Sequence, residues 1–134
     1  MRVMLDTNVL VSALLFQSNK LNRLIEIISM KHELVLATYV IDEFKDVIRS
    51  KIPQKAYVVD EFLAKASYEL VYTPENIPAK AVSIRDVKDV PVIYSAIIGE
   101  VDVLVTGDKD FSDLNIEKLE ILTPAEFLER FEKN

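Results

Sequence analysis

The sequence predicts a three-layer α/β/α domain with a central, mainly parallel sheet. Three observations predict it. Short apolar runs alternate with stretches of helical spacing along the whole chain, an order that favours a parallel sheet covered by helices. The chain has 134 residues and half of them are hydrophobic, which suits one domain with one core. Only two glycines and five prolines interrupt it, so the loops are expected to be short. A single domain over residues 1–134 is the expectation.

The elements follow in chain order. "RVML" (2–5) predicts a buried strand and "NVLVSALL" (8–15) a first helix. "KLNRLIEIISM" (20–30) sets Leu21, Leu24, Ile25 and Ile28 at helical spacing. "ELVLA" (33–37) predicts a second strand. Thr38 is expected to cap a helix running to about Ser50, with Val40, Ile41, Phe44, Val47 and Ile48 on its apolar face. Asp42, Glu43, Lys45 and Asp46 face elsewhere, and Ile52-Pro53 breaks the helix. Another helix is expected over 54–67, with Tyr57, Val58, Phe62 and Leu63 apolar. "ELVYT" (69–73) predicts a strand, and Pro74 and Pro78 an extended loop. The polar "SIRDVKD" (83–89) approaches a helix over about 90–99. Pro91 fits in its first turn and Gly99 is a good C-cap. "VDVLV" (101–105) and "LEIL" (119–122) predict two more strands. "TPAEFLERFEK" opens with Thr123 as N-cap, Pro124 at N1 and Glu126 at N3, a full capping box.

Composition removes several function classes. There is no cysteine and one histidine, His32. Thiolate sites, disulfides and a His-rich zinc site are therefore excluded, and His32 reads as a loop or strand-edge residue. No apolar run is long enough to span a membrane, and the N-terminal stretch lacks a signal-peptide cleavage pattern; a cytoplasmic protein is expected. The net charge of −6 argues against binding nucleic acid through bulk electrostatics.

The acids are placed where chemistry is expected. Asp6 follows the first strand. Glu43 lies in the helix after the second. Asp89 starts the helix that leads into "VDVLV", and Asp108 follows that strand, with Asp110 two residues on. In parallel sheets, ligand sites lie outside the carboxyl ends of the strands. Mg²⁺ and Mn²⁺ prefer oxygen ligands, and a few carboxylates suffice. Each acid also has an ordinary reading: Asp89 as a helix N-cap, Glu43 as a solvated helix residue, Asp108 and Asp110 as turn residues. Asp6 is the least comfortable in a plain turn, because apolar sequence flanks it on both sides. The joint pattern carries the reading.

"MLDTNVLVSALL", "VIDEF", "RDVKDVPVIYSAI", "VDVLVTGDKDF" and the closing "ILTPAEFLERF" together resemble PIN-domain nucleases. They look most like the small prokaryotic VapC-like toxins of toxin–antitoxin systems. The resemblance implies that Asp6, Glu43, Asp89 and Asp108 are the catalytic, metal-binding acids, with Asp110 as the other candidate for the fourth position. Asn8 and Thr106 would support the site, and Asp86 would be auxiliary. Ile93 and Ala96 would pack behind Asp89. Pro91 and Tyr94 depart from many relatives and bear on the orientation of Asp89.

The activity so implied is hydrolysis of RNA phosphodiesters with Mg²⁺ or Mn²⁺, leaving a 5′-phosphate and a 3′-hydroxyl. Implied partners are the RNA substrate, a cognate antitoxin protein and a second copy in a homodimer. Arg85, Lys88 and Lys109 are candidate RNA contacts, and Arg49, Lys51 and Lys55 cluster at the "KIPQK" bend. Two alternatives stay open: a receiver-like Mg²⁺-binding module, and a PIN fold with a silent site.

Overall fold

The computed structural model describes residues 1–16, 18–78, 90–108, 111 and 114–132. Five strands, β1 (Arg2–Leu5), β2 (Glu33–Ala37), β3 (Glu69–Val71), β4 (Val103–Val105) and β5 (Glu120–Leu122), form one sheet in the order β3-β2-β1-β4-β5. Among the described residues every strand-to-strand pairing in the sheet is parallel, in line with the mainly parallel sheet expected. Its central strands are almost fully buried, as both faces of a covered parallel sheet must be.

The described helices are α1 (Thr7–Leu15), α2 (Asn19–Lys31), α3 (Thr38–Lys51), α4 (Ala56–Lys65), α5 (Val90–Ile98) and α6 (Pro124–Phe131), with a 3₁₀ turn at Pro53–Lys55. The chain moves outward from β1 to β2 to β3, then returns past both to β4. With right-handed crossovers, this route lays α1 to α4 on one face and α5 on the other. The direction of winding reverses between β1 and β4, and in such a sheet the crevice for a ligand lies outside their carboxyl ends.

Sequence and structure differ in four places. Thr38 does not cap α3: Ala37 holds the N-cap position without a side-chain bond, and the Thr38 hydroxyl accepts the Thr73 N–H at 2.9 Å instead. The segment expected as one helix over 54–67 begins as a 3₁₀ turn, closed by the Lys55 N–H on the Ile52 carbonyl, with Pro53 in a first position where its missing amide hydrogen costs no bond. In α4 the core-facing stripe is Val58, Val59, Phe62 and Leu63, and Tyr57, expected on that face, lies outside the stripe and is exposed. The strands expected over 69–73, 101–105 and 119–122 pair only over 69–71, 103–105 and 120–122; the flanking residues turn to other partners, Thr73 to Thr38 and Ser95, Val101 to Ala96, and Leu119 to Ile116. The capping box at Thr123 and Glu126 forms in full.

The fourth difference lies at the end of α5. Gly99 is in the C-cap position, yet the left-handed residue is Glu100, with φ 52°. Glu100 N–H bonds Ile97 O and Val101 N–H bonds Ala96 O, the paired bonds of a Schellman end. Gly99 is needed for space: a Cβ there would stand 2.8 Å from Val71 Cγ2 and 3.0 Å from the Ser95 carbonyl oxygen. Gly99→Ala is therefore expected to cost about 1–3 kcal/mol by overpacking, whereas Glu100→Gly is expected to stabilise by roughly 0.5–1 kcal/mol by relieving the left-handed backbone. Urea denaturation of the two variants measures both signs.

Arg2 ties the amino ends of the strands together. Its backbone N–H donates to Asp102 and its Nε to the Gly99 carbonyl, while the guanidinium pairs with Glu69 and Glu33. On the same rim, His32 ends α2 with its ring edge-on to Phe131 and Phe127 of α6, at centroid distances of 5.3 and 6.1 Å. Burial, then the N-terminal ammonium and Lys31, hold the His32 pKa below its ordinary 6.5. The folded state thus prefers the neutral ring. The stability this contributes is complete above the unfolded pKa and is lost as pH falls through the lower, folded value. Between about pH 7 and about pH 5, wild type is expected to lose more stability than His32→Gln, as read by melts at each pH.

Candidate functional site

The crevice between β1 and β4 is built around one carboxylate. β1 ends at Leu5, and the next residue, Asp6, is the N-cap of α1. Its backbone N–H still bonds the Val105 carbonyl of β4 at 3.0 Å, so the sheet fixes its position. The residue is only 7 % exposed. Oδ1 accepts the Thr7 N–H at 2.8 Å, and Oδ2 accepts the Thr106 hydroxyl at 2.7 Å. An Asp at an N-cap is ordinary; one this buried, with a hydroxyl from another strand on its second oxygen, is not.

Thr106 is the matching residue past β4. Its backbone N–H bonds Leu122 O of β5 at 3.0 Å. Its hydroxyl donates to Asp6 and accepts the Asp108 N–H at 3.0 Å. Asn8 reaches across the same gap, its Oδ1 accepting the Gly107 N–H at 3.2 Å. Asn8 and Thr106 therefore lock the α1 start to the turn that presents Asp108.

Burial raises the Asp6 pKa above its ordinary value. The bonds from Thr106 and Thr7 pull it down, and the charges of Glu43 and Asp108 push it up again. The three acids are thus electrostatic neighbours, with Glu43 and Asp108 both half-buried. Among the described residues, no three of them close into a metal-holding group. Of the sequence-predicted set, Asp86, Asp89 and Asp110 lie outside the described residues, as do Arg85, Lys88 and Lys109. Ile93 and Ala96, expected behind Asp89, are fully buried.

The donor chemistry fits a hard divalent cation. Every candidate group is an oxygen, and each Asp6 oxygen takes one hydrogen bond, leaving it acceptor capacity. Thr7 adds an oxygen that sequence reasoning missed: its buried hydroxyl has no hydrogen-bond partner among the described residues, a rare state for a buried polar group. The signal was its place directly after Asp6.

A second feature of this rim is also absent from the sequence reading. Tyr39 N–H donates to Thr73 Oγ1 at 3.2 Å, Thr73 Oγ1 lies 2.8 Å from Ser95 Oγ, and Ser95 Oγ donates to Pro91 O at 2.7 Å. Ser95 has one proton and spends it on Pro91, so Thr73 is the donor to Ser95. This directed chain joins the first turn of α3, the helix that carries Glu43 in its second turn, to the end of β3 and the first turn of α5.

The sequence profile of the PIN domain matches residues 2–110, most of the chain and both sides of the crevice. This chain belongs to the PIN-domain family. The PIN domain is also similar in fold to a chain of VapBC2 from Rickettsia felis, solved bound to a DNA fragment from their promoter. The TM-score is 0.71 at 20 % identity, over 92 % of this chain and 98 % of that one. No curated protein matches the sequence. Among the described residues, no helix of this PIN domain is long and apolar enough to cross a membrane.

Thr106→Val removes the donor to Asp6 and the acceptor for Asp108 N–H while keeping the shape. It is expected to cost about 1.5–3 kcal/mol, the range for a bond to a charged group. Thr106→Ser, which keeps the hydroxyl, is expected to recover most of that in the same urea titration.

Proposed function

We propose that this PIN domain is a divalent-metal-dependent endoribonuclease and the toxin of a type II toxin–antitoxin pair. The observation that carries the reading is the buried Asp6 carboxylate, held at the β1–β4 crevice by Thr106 and Thr7 with the Glu43 and Asp108 charges close by. Like charges gathered at a buried acid oppose one another unless a cation sits among them. Family membership supports the nuclease reading, and the fold shared with a VapBC2 chain supports the toxin–antitoxin one.

Asp6, Glu43 and Asp108 would hold Mg²⁺ or Mn²⁺, with Asp89 and Asp110 as the further acids. When bound, the cation supplies the charge that makes water a nucleophile near neutral pH and offsets charge on the leaving oxygen. The protein's own part is positional. Thr106 and the Thr7 amide orient the Asp6 carboxylate, and Asn8 keeps the Asp108 turn against α1. Arg85, Lys88 and Lys109 are proposed to meet RNA phosphates. No protein nucleophile is needed, and the products would be a 5′-phosphate and a 3′-hydroxyl. A cytoplasmic setting, a cognate antitoxin and a homodimer complete the reading.

The test is cleavage of single-stranded and structured RNAs with Mn²⁺, Mg²⁺ or EDTA. Cleavage is expected with either ion and lost in EDTA. Asp6→Asn keeps a good N-cap but removes charge, and is expected to lower kcat on the order of 100-fold or more. Asp108→Asn is expected to hurt more than Asp110→Asn. Undiminished cleavage in EDTA would sink the metal mechanism; a folded, metal-loaded protein that cleaves no RNA would mean a silent site.

A further inference from the structure

We propose that Tyr72 is a nucleobase-stacking platform for single-stranded RNA, set beside the candidate metal centre. The proposal rests on the ribonuclease reading above and deepens it: the substrate would present an unpaired base next to the scissile phosphate.

Position comes first. Tyr72 directly follows β3, whose Val71 is level with Ala37 of β2. β2 is in turn the neighbour of β1, the strand that ends in Asp6. Tyr72 therefore lies on the carboxyl rim, two inter-strand steps from the Asp6 strand, about 10 Å. That distance is within reach of a nucleotide flanking a phosphate held at Asp6.

Presentation comes second. Tyr72 is 75 % exposed, the most exposed of the large hydrophobic residues described. Its neighbours on both sides are engaged with α5: Val71 Cγ2 packs at Gly99, and Thr73 Oγ1 bonds Ser95. Alternation along an extended chain then turns Tyr72 to the opposite side.

Rigidity comes third. The Thr73 N–H is held by Thr38 and its hydroxyl by Tyr39 N–H and Ser95, and the following Pro74 restricts Thr73 to extended backbone. An aromatic ring on a backbone pinned on both sides gives up little freedom on binding. The hydroxyl chain thus holds the ring-bearing segment in register with the helix that carries Glu43.

The chemistry of the partner follows from charge. At a net charge of −6, this protein gains little from displacing counterions along a phosphate backbone. Stacking is neutral, tolerates any base, and works only where bases are unpaired. It supplies affinity that the acidic surface withholds.

The experiment measures KM and kcat for a single-stranded oligoribonucleotide in Mn²⁺, with 2-aminopurine at one position to report stacking by quenching. Tyr72→Ala is expected to raise KM roughly tenfold, leave kcat within about twofold, and abolish the quench. Because the contact is uncharged, the KM ratio to wild type should hold when salt is raised. Tyr72→Phe should behave as wild type, since the ring face remains. Met30→Ala, which removes an exposed apolar residue before β2 on the opposite rim, should change nothing. Melting temperatures should be alike throughout. Wild-type cleavage with an unchanged KM in Tyr72→Ala would overturn the stacking role alone. A KM ratio that collapses with salt would also overturn it, by showing an electrostatic contact. A wild-type protein that neither cleaves nor quenches would remove the ribonuclease reading and this one together.

Discussion

A carboxylate buried beside a hydrophobic core is the constraint around which this domain is arranged. Asp6 cannot move toward water, because its backbone is still part of the β1–β4 ladder and its carbonyl already serves the first turn of α1. Desolvation of such a group costs several kcal/mol unless it is paired. The fold answers with one backbone amide and one hydroxyl, which offset part of the cost and leave the pKa raised. A buried acid at the switch point of a doubly wound sheet is the feature on which the proposed cation-dependent site rests.

The two rims of the sheet have different work. At the amino rim, Arg2 draws the starts of β1, β2 and β3 and the end of α5 together, and α6 closes over His32 with aromatic edges. These contacts keep strands in register and leave little that could react. At the carboxyl rim the bonds are made by short hydroxyl and amide side chains: Thr106 and Asn8 near Asp6, and Thr38, Thr73 and Ser95 between α3, β3 and α5. Short side chains lose little entropy when ordered. They position elements without filling the crevice.

Strand spacing sets the scale of that rim. Asp6 and Thr106 sit on adjacent strands and touch, while Tyr72 stands two strands away from Asp6. The contact between Asp6 and its hydroxyl partner Thr106 belongs to one pair of strands. The same sheet that gathers Asp6 and Asp108 at its switch point also carries an exposed, uncharged side chain, Tyr72, farther along the rim.

By itself, the sequence determined the layered fold, the order of its elements and the acids worth watching. The alternation of apolar strands with helical spacing, the capping box at Thr123, and Asp6 and Asp108 just past apolar runs are local signals, and the architecture follows from them. The family-type pattern around "LDTN" and "VTGDKDF" also singled out Asn8 and Thr106, whose bonds to Gly107 and Asp6 the structure supplies. Tertiary structure alone decided what local patterns cannot encode. Thr38 looks like a cap, but β3 brings the Thr73 amide within reach and the hydroxyl goes there. Gly99 looks like a left-handed stop, but Val71, packed close from β3, claims the space of its missing Cβ, and the left-handed turn passes to Glu100. Ser95 looks like a small helical residue, yet it ends a hydroxyl chain from α3. Each of these outcomes depends on a residue more than 20 positions away, brought near by parallel crossovers, and helical or strand periodicity carries no information over that distance.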